Sequence, residues 1–116
     1  MTTLYGIRNC DTVKKARGWL DAKGVAYAFH DYKAQGVDPD RLAGWAERVG
    51  WERLLNRSGT TFRKLSDADR ADIDAAKALQ LMAQHSSLIR RPVLEHGDVL
   101  LVGFDPTRYA EAVAAA

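Results

Sequence analysis

The chain has 116 residues, 47% of them hydrophobic and 28% charged, with a net charge of +2. That length and balance predict one compact domain able to bury a core, and argue against a disordered chain. The lone cysteine, Cys10, excludes an intrachain disulfide and any zinc site built on cysteine pairs.

Charge is spread along the chain. Residues 1–33 hold six Lys/Arg and three Asp/Glu, residues 34–85 eight of each, and residues 86–116 three and four. With no basic tail, neither nucleic acid nor an anionic membrane is the expected partner. "MTTLYGIRNC" lacks the apolar core of a signal peptide, and no stretch approaches the ~20 apolar residues of a spanning helix. A single free thiol fits a cytoplasmic location.

In chain order, "TLYGI" reads as a strand with nearly continuous apolar residues. From Asp11 the period becomes helical, with Val13, Ala16 and Leu20 on one face and Gly24 as the stop. "VAYAFHDY" reads as a second strand, which makes a βαβ unit with parallel strands. "GVDPDRLAGWAERVG" is a helix with Asp38 as N-cap and Pro39 at its first position. "WERLLNRSGTTFRKL" is irregular, with turn chemistry at Ser58-Gly59. "SDADRADIDAAKALQLMAQHSSLI" reads as a helix capped by Ser66 or Asp67, its acidic first turns facing the positive helix end. "RPVLEHGDVLLVGF" gives two strands joined at His96-Gly97. "DPTRYAEAVAAA" is a terminal helix with Asp105 as cap and Pro106 next. The expected fold is α/β: a four-stranded mixed sheet formed by residues 1–33 and 89–116, with 34–88 as a helical insertion.

Cys10 falls between the first strand and the first helix. A helix start offers unpaired N–H groups and positive partial charge, both of which favour thiolate, the nucleophilic form. Arg8, Lys14 and Lys15 act in the same direction, while Asp11 opposes them unless it is occupied as the helix N-cap. His30, His85 and His96 show no metal-ligand spacing, with His96 read as a turn residue. Asp67, Asp69, Asp72 and Asp74 lack the glycine and glutamate of a calcium loop and read as a solvated face. Arg53, Arg57, Arg63 and Lys64 form a cationic run in which Thr60 and Thr61 add hydroxyl donors. No Gly-rich phosphate loop is present.

Three segments in this order, "YGIRNCDTVKKA", "LLNRSGTTFRKL" and "IRRPVL", resemble the ArsC/Spx/YffB group of arsenate-reductase-like proteins, with the likeness strongest to the YffB branch. The resemblance implies a thioredoxin-like fold with a helical insertion and a glutathione-dependent thiol reductase activity. Cys10 matches the nucleophile. Arg91 matches the anion-contacting arginine and Pro92 the cis-proline after it, while Arg57 lies near a second anion-contacting arginine. Val102 stands where arsenate reductases carry a further arginine, and Val13 stands where Spx-type proteins carry a second cysteine.

A lone nucleophilic thiol cannot resolve its own adduct, so a second thiol must come from outside, with glutathione the natural co-substrate and glutaredoxin a further partner. Its carboxylates suit Arg91, Arg57, Arg8 and Lys14, with Thr60 as a hydroxyl donor. No tightly bound cofactor or metal is expected. The alternatives are a Spx-like regulator that binds RNA polymerase or another protein, and an arsenate reductase proper.

Overall fold

The computed structural model describes residues 1–114, so the last two alanines of the expected terminal helix lie outside the described residues. The chain forms two compact units, one from Met1–Gln35 together with the segment beginning at Arg91, the other from Gly36–Arg90.

The first unit holds a four-stranded sheet. Strands β1 (Thr2–Gly6), β2 (Ala28–Asp31), β3 (Val93–His96) and β4 (Val99–Val102) lie in the order β2-β1-β3-β4. β1 pairs parallel with β2 and antiparallel with β3, and β3 pairs antiparallel with β4. Helix α1 (Asp11–Ala22) makes the crossover between the parallel strands, and the C-terminal helix Pro106–Ala114 follows β4. This is a thioredoxin-type arrangement of strands and helices.

Alternation along β1 and β3 sends Leu4 and Leu94 to one face of the sheet. There they meet Ala16 and Leu20 of α1 and Tyr109 of the C-terminal helix. Leu4, Leu20 and Leu94 are fully buried, each worth about 1.5–3 kcal/mol relative to exposure. Tyr109 packs edge-on against Trp19 and Phe104, with ring centroids 5.8 and 5.0 Å away. Its hydroxyl donates to the Gly103 carbonyl at 2.9 Å, and burial pushes its ionisation well above the ordinary tyrosine range.

Local chemistry sets most boundaries. At the end of α1, Gly24 adopts φ +70°. The Gly24 N–H donates to the Asp21 carbonyl and the Val25 N–H to that of Leu20, the paired bonds that close a helix through a left-handed residue. Asp105 ends the run before the C-terminal helix, its side chain accepting from the Thr107 N–H at 3.0 Å.

Two elements of this unit differ from the sequence expectation. The second strand stops at Asp31, and Tyr32 begins a one-turn helix, α2 (Tyr32–Gln35), because the Asp31 carboxylate accepts from the Lys33 N–H at 2.9 Å and turns the chain. The hairpin register pairs His96 with Val99, so the two loop residues are Gly97 and Asp98 rather than His96-Gly97. Gly97 supplies the positive φ of +57° that the turn requires. His96 is instead the last residue of β3, its ring Nδ1 bonded to the Thr2 hydroxyl across the strands.

The second unit is helical: α3 (Pro39–Val49), α4 (Trp51–Leu54), α5 (Thr60–Arg63), α6 (Asp67–Arg70), α7 (Ala75–Gln84) and a 3-10 turn at Ser86–Leu88. Asp38 caps α3 by accepting from the Asp40 N–H, with Pro39 at the first position. The expected single helix from Ser66 onward is broken. Ser66 caps only the one-turn α6, Asp72 sits at φ +51°, and Asp74 caps α7 afresh through the Lys77 N–H. Repeated cap-forming side chains offer the backbone alternatives to a continuous helix. Leu42, Trp45, Leu54, Met82 and Leu88 are buried. Leu55 bridges to Ile89, which ties the middle of this unit to its end. Among the described residues no helix is long and apolar enough to cross a membrane.

Candidate active site

β1 ends at Gly6, and a tight turn follows in which the Cys10 N–H donates to the Ile7 carbonyl at 3.2 Å. Cys10 is itself the N-cap of α1, with extended φ/ψ of −103°/127°, and its carbonyl accepts the first helical bond, from the Lys14 N–H at 2.9 Å. Of the two roles open to Asp11, the cap is taken by Cys10, and Asp11 occupies the first helical position. The half-buried thiol is thus aimed at the positive end of a 12-residue helix.

Burial is the largest single influence on this thiol and pushes it up. Against it act the Val13 N–H, a hydrogen bond from the Arg91 side chain, the Thr12 N–H and the Arg91 charge, and together they outweigh burial and lower the thiol below its ordinary range. The Cys10 side chain closes no cap hydrogen bond of ordinary geometry. The two N–H groups therefore act as poised donors whose full value appears when the sulfur carries charge.

Close packing brings these donors into place. Gly6 lies against the first turn of α1, where an added Cβ would stand 2.7 Å from Cγ2 of the fully buried Val13. Only glycine lets strand and helix approach this closely. No sequence pattern marks Gly6, since its role rests on a contact with a residue seven positions on.

Arg91 reaches Cys10 from the segment leading into β3. The Arg91-Pro92 peptide bond is cis and Pro92 is buried. The Pro92 carbonyl accepts from the Gly103 N–H at 2.7 Å, which fixes this segment against the end of β4. Of the adjacent arginines, Arg91 is half-buried and directed to the sulfur while Arg90 is exposed.

The other cations expected to favour the thiolate are placed differently. Arg8 turns its Nε toward the Asp31 carboxylate at 3.9 Å, and Asp31 is itself held at the start of α2 by the Lys33 N–H. Arg8 keeps a largely exposed side chain with Asp31 beside it, and the main influences on the thiol come from Val13, Thr12 and Arg91. Lys14 contributes its backbone N–H to the cap, and its side chain is exposed. Arg57 and Thr60 belong to the second unit, and both are exposed. Arg57 lies over the Trp51 ring with its guanidinium carbon 5.6 Å from the centroid. Thr60 begins α5 after a turn in which the Asn56 side chain accepts from the Ser58 N–H.

On the sheet face opposite Leu4, an aromatic group was not foreseen. Tyr5 lies 5.1 Å from His30 and 6.5 Å from Tyr32, centroid to centroid. Its hydroxyl donates to Glu95 Oε1 at 2.6 Å. Tyr32 is 3% exposed. Burial first, and the Tyr5 and Glu95 charges after it, push its hydroxyl far above the ordinary range, with Arg91 opposing them. Reading Tyr32 as the end of a strand concealed this placement.

Known proteins share this fold and family. A solved structure described as "YFFB (PA3664) protein" is similar at a TM-score of 0.94 and 57% identity, covering 97% of this chain and 98% of that one. An arsenate reductase (ArsC) related protein from Brucella melitensis is similar at a TM-score of 0.76 and 51% identity, with 97% and 93% covered. The global transcriptional regulator Spx of Streptococcus mutans is 27% identical over 90% of this chain and 77% of its own length. The sequence pattern of the ArsC family matches residues 5–112, from the first strand into the last helix, and the chain belongs to that family.

Proposed function

We propose that the protein is a thiol oxidoreductase in which Cys10 is the nucleophile and glutathione the external reductant. One observation carries the reading: the Cys10 sulfur sits at the start of α1 with the Val13 and Thr12 N–H groups and the Arg91 side chain all favouring its thiolate. Membership of the ArsC family supports the same chemistry. The Cys10 thiolate attacks one sulfur of a disulfide substrate. A bond from Cys10 to that sulfur forms as the S–S bond breaks, and the departing thiolate takes up a proton. A glutathione thiolate then attacks the mixed disulfide, is itself oxidised to a disulfide, and releases the Cys10 thiolate. Val13 occupies the position three residues after Cys10, so no thiol of this chain resolves the adduct.

Arg91 orients a carboxylate or oxyanion of the incoming group, and Pro92 shapes the segment that presents it. Arg8 and Lys14 contribute to the basic rim. Glutaredoxin is an alternative protein reductant, and the reducing cytoplasm is the setting in which this cycle turns over. Treatment with oxidised glutathione followed by mass spectrometry tests the proposal. The expected result is one glutathione adduct on Cys10, formed faster in the native protein than in the denatured one and absent in Cys10→Ser. Equal native and denatured reactivity, or no adduct, rejects it.

Arsenate reduction proper is a weaker reading, because Val102 leaves the end of β4 uncharged beside the Arg91 segment. Arsenate-dependent turnover with glutathione and glutaredoxin would restore it. The likeness to Spx favours one further reading, a regulator that binds RNA polymerase or another protein. Stoichiometric capture of such a partner by wild type and Cys10→Ser alike, with thiol chemistry absent, would select it.

A further inference from the structure

β4 is an edge strand of the sheet. Its direction of pairing follows from one bond: the Gly103 N–H donates to the Pro92 carbonyl, across the β3 side. Hydrogen-bonding direction alternates along a strand, so Leu101 and Val99 also bond toward β3. The N–H and C=O groups of Leu100 and Val102 therefore point away from the sheet, with no partner among the described residues.

Apart from its four-residue length, this edge carries none of the usual protection. Edge strands are commonly guarded by charge, proline or a bulge. Here the strand is Val-Leu-Leu-Val, every residue half-exposed, in regular register along its whole length. Beside it runs an open groove lined by Val99 and Leu101 of β4 and by Arg108, Glu111 and Ala112 of the C-terminal helix, which we number α8. The groove is apolar at its floor and carries one cation and one anion at its rim, one helical turn apart.

We infer that this edge is the self-association surface of the protein, with β4 of a second copy as its occupant. A two-fold axis beside Leu101 pairs Leu100 with Val102 of the second copy, and the reverse. That register satisfies all four outward N–H and C=O groups of each copy. It joins the two sheets into one of eight strands. The facing side chains are then Leu101 with Leu101, Leu100 with Val102, and Val99 over Gly103, which has no side chain to obstruct it. No like charges meet across the strands. On the helical side the same axis sets α8 antiparallel to its copy, with Arg108 of each opposite Glu111 of the other. The Arg108–Glu111 spacing is thus self-complementary, as an isologous interface requires. An unrelated partner strand would use the same main-chain groups but would not need this charge pair.

Sedimentation equilibrium over a wide concentration range tests the inference. The wild-type mass should rise from the 12.9 kDa of one chain toward twice that value. Leu100→Pro removes an outward N–H without costing a bond to β3 and should hold the protein at one chain, with an unchanged far-ultraviolet spectrum. Arg108→Glu and Glu111→Arg should each weaken association at least tenfold by placing like charges together, and the double exchange should restore it. Amide exchange at Leu100 and Val102 should slow with protein concentration. A wild type that stays monomeric throughout overturns the inference, whether or not a strand of another protein adds at β4. So does a dimer indifferent to all three substitutions.

Discussion

Gly6→Ala is a direct test of how the fold aims the donors at Cys10. The new methyl would lie 2.7 Å from Val13 Cγ2. Carbon atoms settle at about 3.5–4.0 Å, so strand and helix must separate by roughly 0.8 Å or more. Val13 cannot yield cheaply. It is fully buried, and a β-branched residue in a helix has essentially one χ1 rotamer. The backbone of the first turn of α1 must move instead, and with it the Val13 and Thr12 N–H groups. Overpacking of this kind costs about 1–3 kcal/mol. The displacement also degrades thiolate stabilisation, and a shift near 1 Å can cost up to ~100-fold in turnover. Urea unfolding should show a lower midpoint at unchanged slope, and alkylation of Cys10 at neutral pH should slow. Val13→Ala in the same chain removes the obstructing methyls, so the double variant should be less destabilised than the sum of the single ones. If Gly6→Ala matches wild type within ~0.5 kcal/mol and alkylates at the same rate, the close-approach argument fails.

The remaining predictions concern the sulfur and its supports. Arg91→Met removes both a hydrogen bond and a charge from the thiolate. A net bond to a charged group is worth about 1.5–3 kcal/mol, partly offset because a more basic thiolate is a better nucleophile, so alkylation at neutral pH should slow roughly three- to tenfold. Arg91→Lys should fall between the two, keeping charge but losing the planar donor fork. Because the native thiol is lowered relative to the unfolded chain, the thiolate's contribution to stability is fully present above the ordinary cysteine value of about 8.5 and is lost as pH falls through the native value. The stability difference between wild type and Cys10→Ser, measured by urea unfolding across pH, should accordingly grow toward alkaline pH and then level off; a difference independent of pH would refute the lowering. Tyr109→Phe strands the Gly103 carbonyl and should cost about 1–3 kcal/mol in the same assay.

What could be read from the sequence was set by short-range chemistry. Asp38-Pro39 and Asp105-Pro106 each join a capping carboxylate to a preset φ, and both start helices in the structure. Val13, Ala16 and Leu20 share the buried face of α1, and Gly24 ends that helix. The order of strands and helices followed from these signals, and with it the mixed sheet. The failures arose where several local solutions compete or where the decisive contact is distant. Between Ser66 and Asp74, four aspartates and a serine offer successive caps, and the helical period does not say which of them will be used. Near Cys10, sequence proximity pointed to Arg8 and Lys14, yet Arg8 is drawn to Asp31 from the end of β2. Arg91, far along the chain, was identified by resemblance to a family and not by any local pattern. Gly6 and Tyr32 carry no signal in the sequence, because one works by absence of a side chain and the other by burial.

The central claim is that the fold holds Cys10 as a thiolate ready for exchange with glutathione. Titrating the Cys10 thiolate by its ultraviolet absorbance, in native protein and with glutathione present, tests it most directly. The account predicts a midpoint below the ordinary cysteine value of about 8.5 and a response to glutathione that disappears in Arg91→Met. A midpoint at or above that value, unmoved by glutathione, would contradict it.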